Sequence, residues 1–182
     1  MYTIQYYSIK IVGKIAAYFG GNRKEIINNF FRKCGVKIGK NATICCNMLS
    51  SEPYLINIGD NVTISNDVQI ITHDNSIIKI TKGEKTDIFG EVVIGNNCFI
   101  GARSIIMYGV TLTNNIIVAA GSVVTKSFYE PYTIIGGNPA KKIGSWDAFF
   151  AKNQYYAHNV KGFSYNQKRD LLSDKSKIIG NK

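Results

Sequence analysis

Aliphatic residues recur every six positions through the middle of the chain. The longest uninterrupted run consists of Ile94, Ile100, Ile106, Leu112, Val118 and Val124. The same step occurs earlier, at Ile38, Ile44, Ile58, Ile64 and Ile70. A period of six is neither the 3.6-residue period of a helix nor the simple alternation of a strand. It fits short strands separated by tight corners, with one large aliphatic residue per strand pointing inward.

Other positions of the six-residue repeat agree with this interpretation. The residue after the aliphatic position is small, at Gly39, Gly59, Gly95, Gly101 and Ala119. The fifth position is also small or medium-sized, at Val62, Val68, Cys98, Ser104, Val110 and Ser122. Three such strands make one coil of about eighteen residues, and stacked coils bury a continuous aliphatic column. The pattern therefore predicts an all-β solenoid.

The repeat divides the chain into an N-terminal segment (residues 1–34), a β domain (residues 35–144) and a C-terminal extension (residues 145–182). Helical spacing in the N-terminal segment predicts one amphipathic helix, whose apolar stripe is Ile4, Tyr7, Ile11, Ile15 and Tyr18. A second short helix is predicted from Arg23 to Lys33. We expect the stripe to pack against the β domain, and contact with a membrane surface is the alternative. The extension is rich in aromatic residues, with a polar helix predicted over 166–173.

One interruption of the repeat is expected to carry function. The interval between Ile70 and Ile94 is a multiple of six, and Ile88 is in phase with Ile94, so the chain leaves the coil and returns in register. Residues 75–87 then form an excursion, and loops held by a rigid scaffold often carry functional groups. His73 stands at the base of this excursion.

His73 is the histidine that lies within the repeat region, and it is the candidate general base at neutral pH. Its offset from Ile58 equals the offset of Pro53 from Ile38. Glu52, Pro53 and Tyr54 are therefore expected one coil away from His73, about 5 Å along the stacking direction. This stretch is a candidate wall of a site around His73.

Charge and cysteine content narrow the classes of function. The net charge of +10 implies an anionic partner without selecting one. Cys34, Cys45, Cys46 and Cys98 have neither CxxC spacing nor a disulfide-framework pattern, which favours reduced thiols. Lys10 and Lys14 interrupt the apolar residues at the amino end, so we expect neither a signal peptide nor a membrane span. These features favour a cytoplasmic protein.

Several stretches of the β domain resemble the hexapeptide-repeat acyltransferases. They are IGDNVTIS, ITHDNS, IGNNCFIGARSII, AAGSVVTK and GGNPAKKIG. The resemblance is closest to the sugar O-acetyltransferases of capsule, exopolysaccharide and lipopolysaccharide pathways, which often carry SEPYLI and ITHD, found here at Ser51–Ile56 and Ile71–Asp74. It implies a left-handed parallel β-helix. The sequence departs from the family pattern at LTNN (residues 112–115), and at Tyr108, where proline is common.

The resemblance also implies an activity and a set of site residues. It implies acetyl transfer from acetyl-CoA to a sugar hydroxyl activated by His73, without a metal, in a homotrimer that binds coenzyme A in clefts between subunits. The donor-binding candidates are Ala102, Ala120, Thr125, Lys126 and Lys141. The acceptor-binding candidates are Asn47, Glu52, Tyr54 and Asp74.

Other functions remain open from the sequence. An antibiotic-modifying O-acetyltransferase and a sugar N-acetyltransferase share the expected fold. A non-catalytic basic scaffold is the alternative from a different class, although the basic residues are dispersed and no nucleic-acid-binding motif occurs. A γ-class carbonic anhydrase is excluded because it needs three histidine ligands and the chain has two histidines. A nucleophilic role for Cys45 or Cys46 is disfavoured because neither has an evident activating partner.

Overall fold

The computed structural model of the chain describes residues 2–180. Its helices are α1 (Tyr2–Tyr18), α2 (Arg23–Lys33), α3 (Ile77–Ile80), α4 (Trp146–Asn153) and α5 (Tyr165–Leu171). Its strands are short: β1 (Lys37–Ile38), β2 (Thr43–Ile44), β3 (Ile56–Ile58), β4 (Thr63–Ile64), β5 (Gln69–Ile70), β6 (His73–Asp74), β7 (Ile88–Phe89), β8 (Val92–Ile94), β9 (Phe99–Ile100), β10 (Ile105–Ile106), β11 (Thr111–Leu112), β12 (Ile116–Val118), β13 (Val123–Val124), β14 (Thr133–Gly137) and β15 (Ala140–Ser145).

Three sheets contain most of the strands, and the chain visits them in rotation. The orders are β1-β3-β8-β11, β13-β10-β5 and β15-β14-β12-β9-β4-β2. Strands β8, β9 and β10 enter the four-, six- and three-stranded sheets in turn, and β11, β12 and β13 repeat that sequence. Parallel pairing joins Ile94 to Leu112 and Ile100 to Val118, so equivalent repeat positions lie side by side. Each circuit of the three sheets thus takes three repeats.

The core consists of the predicted inward residues. Ten of the eleven aliphatic positions are buried, and Ile38 is partly buried against the same cluster. The residues at the fifth repeat position are also buried: Val62, Val68, Cys98, Ser104, Val110 and Ser122. The core cluster therefore contains the residues that the six-residue spacing predicts to point inward.

Residues with left-handed backbone conformations form the corners. Asn61, Asp67, Asn97 and Asn115 have φ between 55° and 61°, and each lies three positions after a core aliphatic residue. Asn and Asp tolerate this conformation better than other residues that carry a Cβ atom. The corner side chains also stack, since Asn97 Nδ2 donates to Asn115 Oδ1 at 2.7 Å. The corners therefore turn the chain and link adjacent coils.

Glycine after the aliphatic position allows neighbouring coils to approach closely. A Cβ atom added at Gly101 would lie 2.5 Å from the backbone nitrogen of Ala120 in the next coil. The distance is too short for a carbon atom, so a side chain here would push the coils apart. The glycine column is thus a packing requirement of the stack.

Helices α1 and α2 cover one end of the β domain. Asn22 caps α2 by accepting from the Glu25 amide at 3.2 Å, and the helix buries Ile27 and Phe31. Helix α1 buries Tyr6, while Ile4 and Tyr18 of the predicted stripe are 77% and 86% exposed. The expectation that this stripe packs against the β domain is therefore wrong.

The physical reason is that α1 is apolar on two faces. Tyr6, Ile9 and Gly13 form a second set at helical spacing, and this set lies against α2 and the core. Tyr6 is buried with its ring centre 5.7 Å from that of Phe31, and this contact turns the second face toward α2. The stripe on the opposite face is left in contact with solvent.

The chain divides into two compact units, and the second begins at Gly144. Within it, Ser145 caps α4 by accepting from the Ala148 amide at 3.3 Å. A capping box between Ser164 and Gln167 starts α5 at Tyr165, one residue before the predicted start. His158 contacts the Lys177 carbonyl at 2.7 Å. In the part of the chain that the structure describes, no helix is long and apolar enough to cross a membrane.

We predict that Ile100→Ala lowers the free energy of unfolding by about 2–5 kcal/mol, because Ile100 is fully buried and its truncation leaves a cavity in a column that cannot collapse. Ile80→Ala is the matched control, since Ile80 is exposed in the excursion, and it should change stability by less than about 0.5 kcal/mol. Denaturant unfolding at equilibrium measures both. Equal effects of the two substitutions would contradict the inward position of the repeat.

Candidate active site

His73 lies at the foot of the excursion, in a short antiparallel hairpin. Strand β6 pairs with β7, so that His73 is opposite Phe89 and Asp74 is opposite Ile88. The excursion between these strands contains α3. The chain re-enters the coil at Gly90, whose amide donates to the Thr72 carbonyl at 2.9 Å. Ile88, whose phase suggested that the chain has returned to the coil, belongs to this hairpin and is 41% exposed, so the return comes after Ile88.

Glu52 holds one nitrogen of the His73 ring. The distance from His73 Nδ1 to Glu52 Oε2 is 2.8 Å. Thr72, fully buried, donates its hydroxyl to the same oxygen at 2.7 Å, and the Ser50 hydroxyl contacts the Thr72 hydroxyl. The side chain of Glu52 is 13% exposed and that of His73 is 34% exposed. The carboxylate is thus enclosed, while the imidazole reaches the surface.

The protonation of this pair follows from its hydrogen bonds. Partial burial raises the pKa of the Glu52 carboxyl, but the hydrogen bonds from Thr72 and His73 and the attraction of His73 outweigh it and hold the pKa below its ordinary value. A carboxylate can only accept hydrogen bonds, so His73 Nδ1 carries the proton. In the neutral ring the other nitrogen, Nε2, then presents its lone pair. This is the tautomer that a general base needs.

Asp74 and Tyr108 form a second contact beside His73. The Tyr108 hydroxyl donates to Asp74 Oδ2 at 3.2 Å, and the Ser76 amide donates to Asp74 Oδ1 at 2.8 Å. The Ser76 amide, aided by Tyr108, holds the pKa of the Asp74 carboxyl below its ordinary value. Sequence reasoning noted Tyr108 only as a departure from a family pattern. The structure pairs Ile70 with Ile106 and so puts Tyr108 in line with Thr72. The sequence contained no signal for this, because the phase of Ile88 suggested that Ile88 follows Ile70 in the next coil.

The other acceptor candidates lie in different surroundings. Asn47 accepts from the Leu49 amide at 3.3 Å and lines a cavity of about 530 Å³. Tyr6 of α1, Cys45, Asn66 and Gln69 also line this cavity. Tyr54 is exposed, and its backbone belongs to a 3₁₀ turn, Pro53–Leu55. The structure therefore brings Glu52 and Asp74 to His73 and places Asn47 beside α1.

The cysteines next to Asn47 differ in burial. Cys45 is exposed, whereas Cys46 is buried and its Sγ lies 3.5 Å from the Val68 carbonyl. Burial raises the pKa of the Cys46 thiol to about 11. The thiol is therefore protonated at neutral pH, which makes it a poor nucleophile.

The donor candidates fall at two different corners of the β domain. Ala102 and Ala120 lie in the connections from the six-stranded to the three-stranded sheet, in neighbouring coils, and the Gly121 amide donates to the Ala102 carbonyl. Thr125 and Lys126 follow β13 of the three-stranded sheet, as His73 follows β5 of that sheet.

The charged donor candidates are exposed. Two strand spacings of the three-stranded sheet separate β5 from β13, so the backbone near Lys126 lies about 10 Å from that near His73 along the stack. Lys126 Nζ lies 5.7 Å from the centre of the Phe128 ring. Lys141 is exposed on β15, at the edge of the six-stranded sheet. Among residues 2–180, no three His, Cys, Asp or Glu side chains gather as metal ligands would.

Known proteins share this arrangement of repeats. The family described as hexapeptide repeat of succinyl-transferase matches residues 91–126. Protein CapG of Staphylococcus aureus is 44% identical over 163 residues, which cover 85% of this chain and 92% of that protein.

Two solved structures are also similar. A hexapeptide-repeat acetyltransferase from Vibrio cholerae O1 biovar eltor, complexed with acetyl coenzyme A, is 33% identical, with a TM-score of 0.54 over 61% of this chain and 60% of that chain. A maltose O-acetyltransferase from Clostridium difficile 630 is 29% identical, with a TM-score of 0.54 over 66% and 75% of the respective chains. Sequence, repeat and core together define the class as a hexapeptide-repeat protein. The chain belongs to the hexapeptide-repeat acyltransferase superfamily, and it is an acyltransferase.

We predict that Glu52→Gln destabilises the protein at neutral pH more than at acidic pH. The pKa of Glu52 is lower in the folded state, so its stabilising effect is present above the unfolded pKa of about 4.3 and is lost as the pH falls through the folded value. The difference in unfolding free energy between wild type and Glu52→Gln should therefore shrink below about pH 4.

Denaturant unfolding at pH 7 and at pH 3.5 measures this difference. Glu84→Gln makes the same chemical change in the exposed excursion, and it should give no comparable difference. A Glu52→Gln effect that is equal at both pH values would contradict the charged state of this carboxyl.

Proposed function

We propose that this protein transfers the acetyl group of acetyl-CoA to a hydroxyl group of a sugar that is a precursor of capsule, exopolysaccharide or lipopolysaccharide. His73 is the general base. The observation that carries the proposal is the 2.8 Å contact between His73 Nδ1 and Glu52, which leaves Nε2 as the basic nitrogen at the surface. Glu52 is a positioning residue, since it acts through the ring it holds.

The chemistry needs one base and no covalent enzyme intermediate. Acetyl-CoA supplies the acetyl group as a thioester. His73 Nε2 accepts the proton of the acceptor hydroxyl as that oxygen forms its bond to the acetyl carbonyl carbon. The carbon–sulfur bond then breaks, and His73 returns the proton to the sulfur of the leaving coenzyme A. Glu52 stabilises the imidazolium between these two transfers, as a carboxylate on Nδ1 does in other histidine bases.

The donor assignment is supported by similarity and by charge. The similar Vibrio cholerae protein was solved with acetyl coenzyme A. Ala102 and Ala120 expose a strip of backbone without large side chains, which suits a pantetheine arm. Lys126 and Lys141 are exposed cations suited to the phosphates of coenzyme A.

The sugar acceptor is supported by the SEPYLI and ITHD stretches and by the similar maltose O-acetyltransferase. In the structure these two stretches meet, because Glu52 contacts His73. Asp74 and Tyr54, which flank that contact in sequence, are the proposed acceptor contacts, and Asn47 is a further one. Carboxylate, phenol and amide groups are suitable hydrogen-bonding partners for sugar hydroxyls.

The proposed fold and assembly complete the site. The rotation of the chain through three parallel sheets supports a left-handed parallel β-helix, with the hand taken from the family resemblance. A homotrimer would bring His73 of one subunit to Ala102 and Ala120 of the next. The position of these alanines at a different corner from His73 supports this arrangement, because one chain does not bring them together.

We predict that His73→Ala lowers the rate of acetyl transfer by a factor of about 10² to 10⁴, as expected for loss of a general base, without loss of folding. A screen of free, nucleotide-linked and lipid-linked sugars, with chloramphenicol as a representative antibiotic, first identifies the acceptor by transfer of radiolabelled acetyl groups. The rate is then measured on that acceptor.

His158→Ala is the matched control, since His158 contacts only the Lys177 carbonyl in the described part of the C-terminal unit, and its activity should equal that of wild type. A folded His73→Ala protein with wild-type turnover would disprove the mechanism. Acetylation of chloramphenicol in preference to every sugar would disprove the acceptor class while leaving the role of His73 standing.

We predict that mixed trimers recover activity. Ala120→Trp should block donor binding, because Ala120 is exposed and the larger ring would fill the proposed cleft. Subunits of Ala120→Trp and of His73→Ala, each inactive alone, should form some clefts with two intact halves after subunit exchange. Acetyl transfer by the mixture measures the recovery. No recovery after exchange is verified would mean that each site is built within one chain.

A further inference from the structure

Helix α1 carries a continuous apolar stripe on its solvent-facing side. The stripe consists of Ile4, Tyr7, Ile11, Val12, Ile15, Tyr18 and Phe19. Each of these residues is more than half exposed. At 100° per residue, those within α1 span about 140° of the helix circumference, and Phe19 directly follows the last helical residue. The opposite face is already occupied, since Tyr6 is buried against Phe30 and Phe31 of α2. The stripe is therefore a surface separate from the core and from the His73 site.

Positive charges border the stripe on both edges. At 100° per residue, Lys10 and Lys14 lie next to one another along one edge. Lys33 of α2 reaches the other edge, where it lines a depression of about 440 Å³ together with Ile4 and Ser8. Lys14 and Lys33 are exposed, and Lys10 lies over the rings of Tyr6 and Tyr7.

Acidic residues are few around the stripe, and one of them is Asp67, which lines a cavity together with Tyr7 and Lys10. Residues 1–51 contain eight Lys or Arg and a single acidic residue, Glu25, so this part of the chain contributes +7 of the net charge of +10. Glu25 is itself paired with Arg32 at 2.6 Å. The surroundings of the stripe therefore repel a cationic partner and attract an anionic one over a broad area.

We propose that α1 docks this protein on an anionic lipid bilayer, with the helix lying in the plane of the interface. The isoleucines insert among the acyl chains, the rings of Tyr7, Tyr18 and Phe19 lie at the headgroup level, and Lys10, Lys14 and Lys33 contact lipid phosphates. Apolar side chains flanked by lysines and interfacial aromatic residues are the features of helices that bind in this way. Helix α1 does not span the bilayer, because Lys10 and Lys14 interrupt its apolar residues.

The test is sedimentation of the full chain with vesicles. Vesicles of equal parts phosphatidylglycerol and phosphatidylcholine should bind the protein, and vesicles of phosphatidylcholine alone should bind it at least about tenfold more weakly. Raising the salt concentration to about 0.5 M should weaken binding to the anionic vesicles.

Two variants separate the contribution of the apolar residues to vesicle binding from that of the lysines. The triple variant Ile4→Ser, Ile11→Ser, Ile15→Ser should weaken vesicle binding by about 100-fold or more, because it removes the inserted surface. The double variant Lys10→Gln, Lys14→Gln should weaken it by about 10- to 30-fold and reduce the salt dependence. The matched controls are Ile80→Ser, Ile143→Ser, Ile179→Ser and Lys152→Gln, Lys168→Gln, which change equally exposed residues elsewhere and should bind as wild type does.

Three results would overturn the proposal. They are absence of wild-type binding to anionic vesicles, wild-type binding by both stripe variants, and a wild-type oligomer that dissociates in the triple variant by light scattering. The last result would assign the stripe to an interface between copies of this chain. Should the triple variant fail to fold, the lysine double variant and the salt series still decide, because Lys10 and Lys14 lie outside the core cluster. No step measures acetyl transfer, so the outcome is independent of the proposed function.

Discussion

The inward aliphatic residue at every sixth position is the constraint on which the rest of the structure depends. It can stay inward through many repeats only if the corners turn by similar amounts. Left-handed residues three positions after the core aliphatic residue make most of these turns: Asn or Asp at five corners, and Arg103, Gly109 and Gly121 at three others. It can pack without gaps only if adjacent coils touch, which Gly101 and its equivalents allow. These local requirements fix the register of the stack, and the register decides which distant side chains meet.

The pair formed by Glu52 and His73 illustrates this dependence. The two residues are separated by 21 positions and come from adjacent coils. His73 lies in a hairpin at the surface, where its side chain would otherwise sample several rotamers. The enclosed carboxylate, fixed in turn by the buried Thr72, selects one orientation and one tautomer. The rigid coil thus determines the orientation of a side chain on a less regular segment.

Much of this arrangement was predictable from the sequence. The six-residue spacing predicted the core residues, and the equal offsets from Ile58 and Ile38 predicted that Glu52 would lie near His73. Spacing predicts which residues are close together but not where a side chain points. The sequence therefore suggested Glu52 as an acceptor-binding residue, and its contact with the His73 ring was missed. Ile88 was misplaced because its distance from Ile94 equals one repeat, and this spacing does not reveal that the chain is still outside the coil at Ile88.

Helix α1 shows a different limit of sequence reasoning. Periodicity finds an apolar face, but α1 has two, and nothing in their spacing says which one meets the core. The choice depends on the shape of α2, where Phe31 accommodates the ring of Tyr6. The sequence therefore predicted the helix, although it predicted the wrong face for burial.

The candidate site lies where the repeat is broken twice in adjacent coils. Between β2 and β3, a stretch that the structure describes completely, the chain forms no strand of the three-stranded sheet and instead makes the 3₁₀ turn Pro53–Leu55. As a result β5 is the edge of that sheet, and Glu52 lies beside it. In the next coil the excursion after Thr72 carries His73 away from the core. If the repeat were unbroken, regular strands would occupy both the stretch between β2 and β3 and the segment after Thr72. Aliphatic residues would then point inward there, and no carboxylate would be enclosed. Each irregularity interrupts the regular strand pairing, and together they bring the Glu52 carboxylate into contact with the His73 imidazole. Local departures from a folding pattern are expected at functional sites.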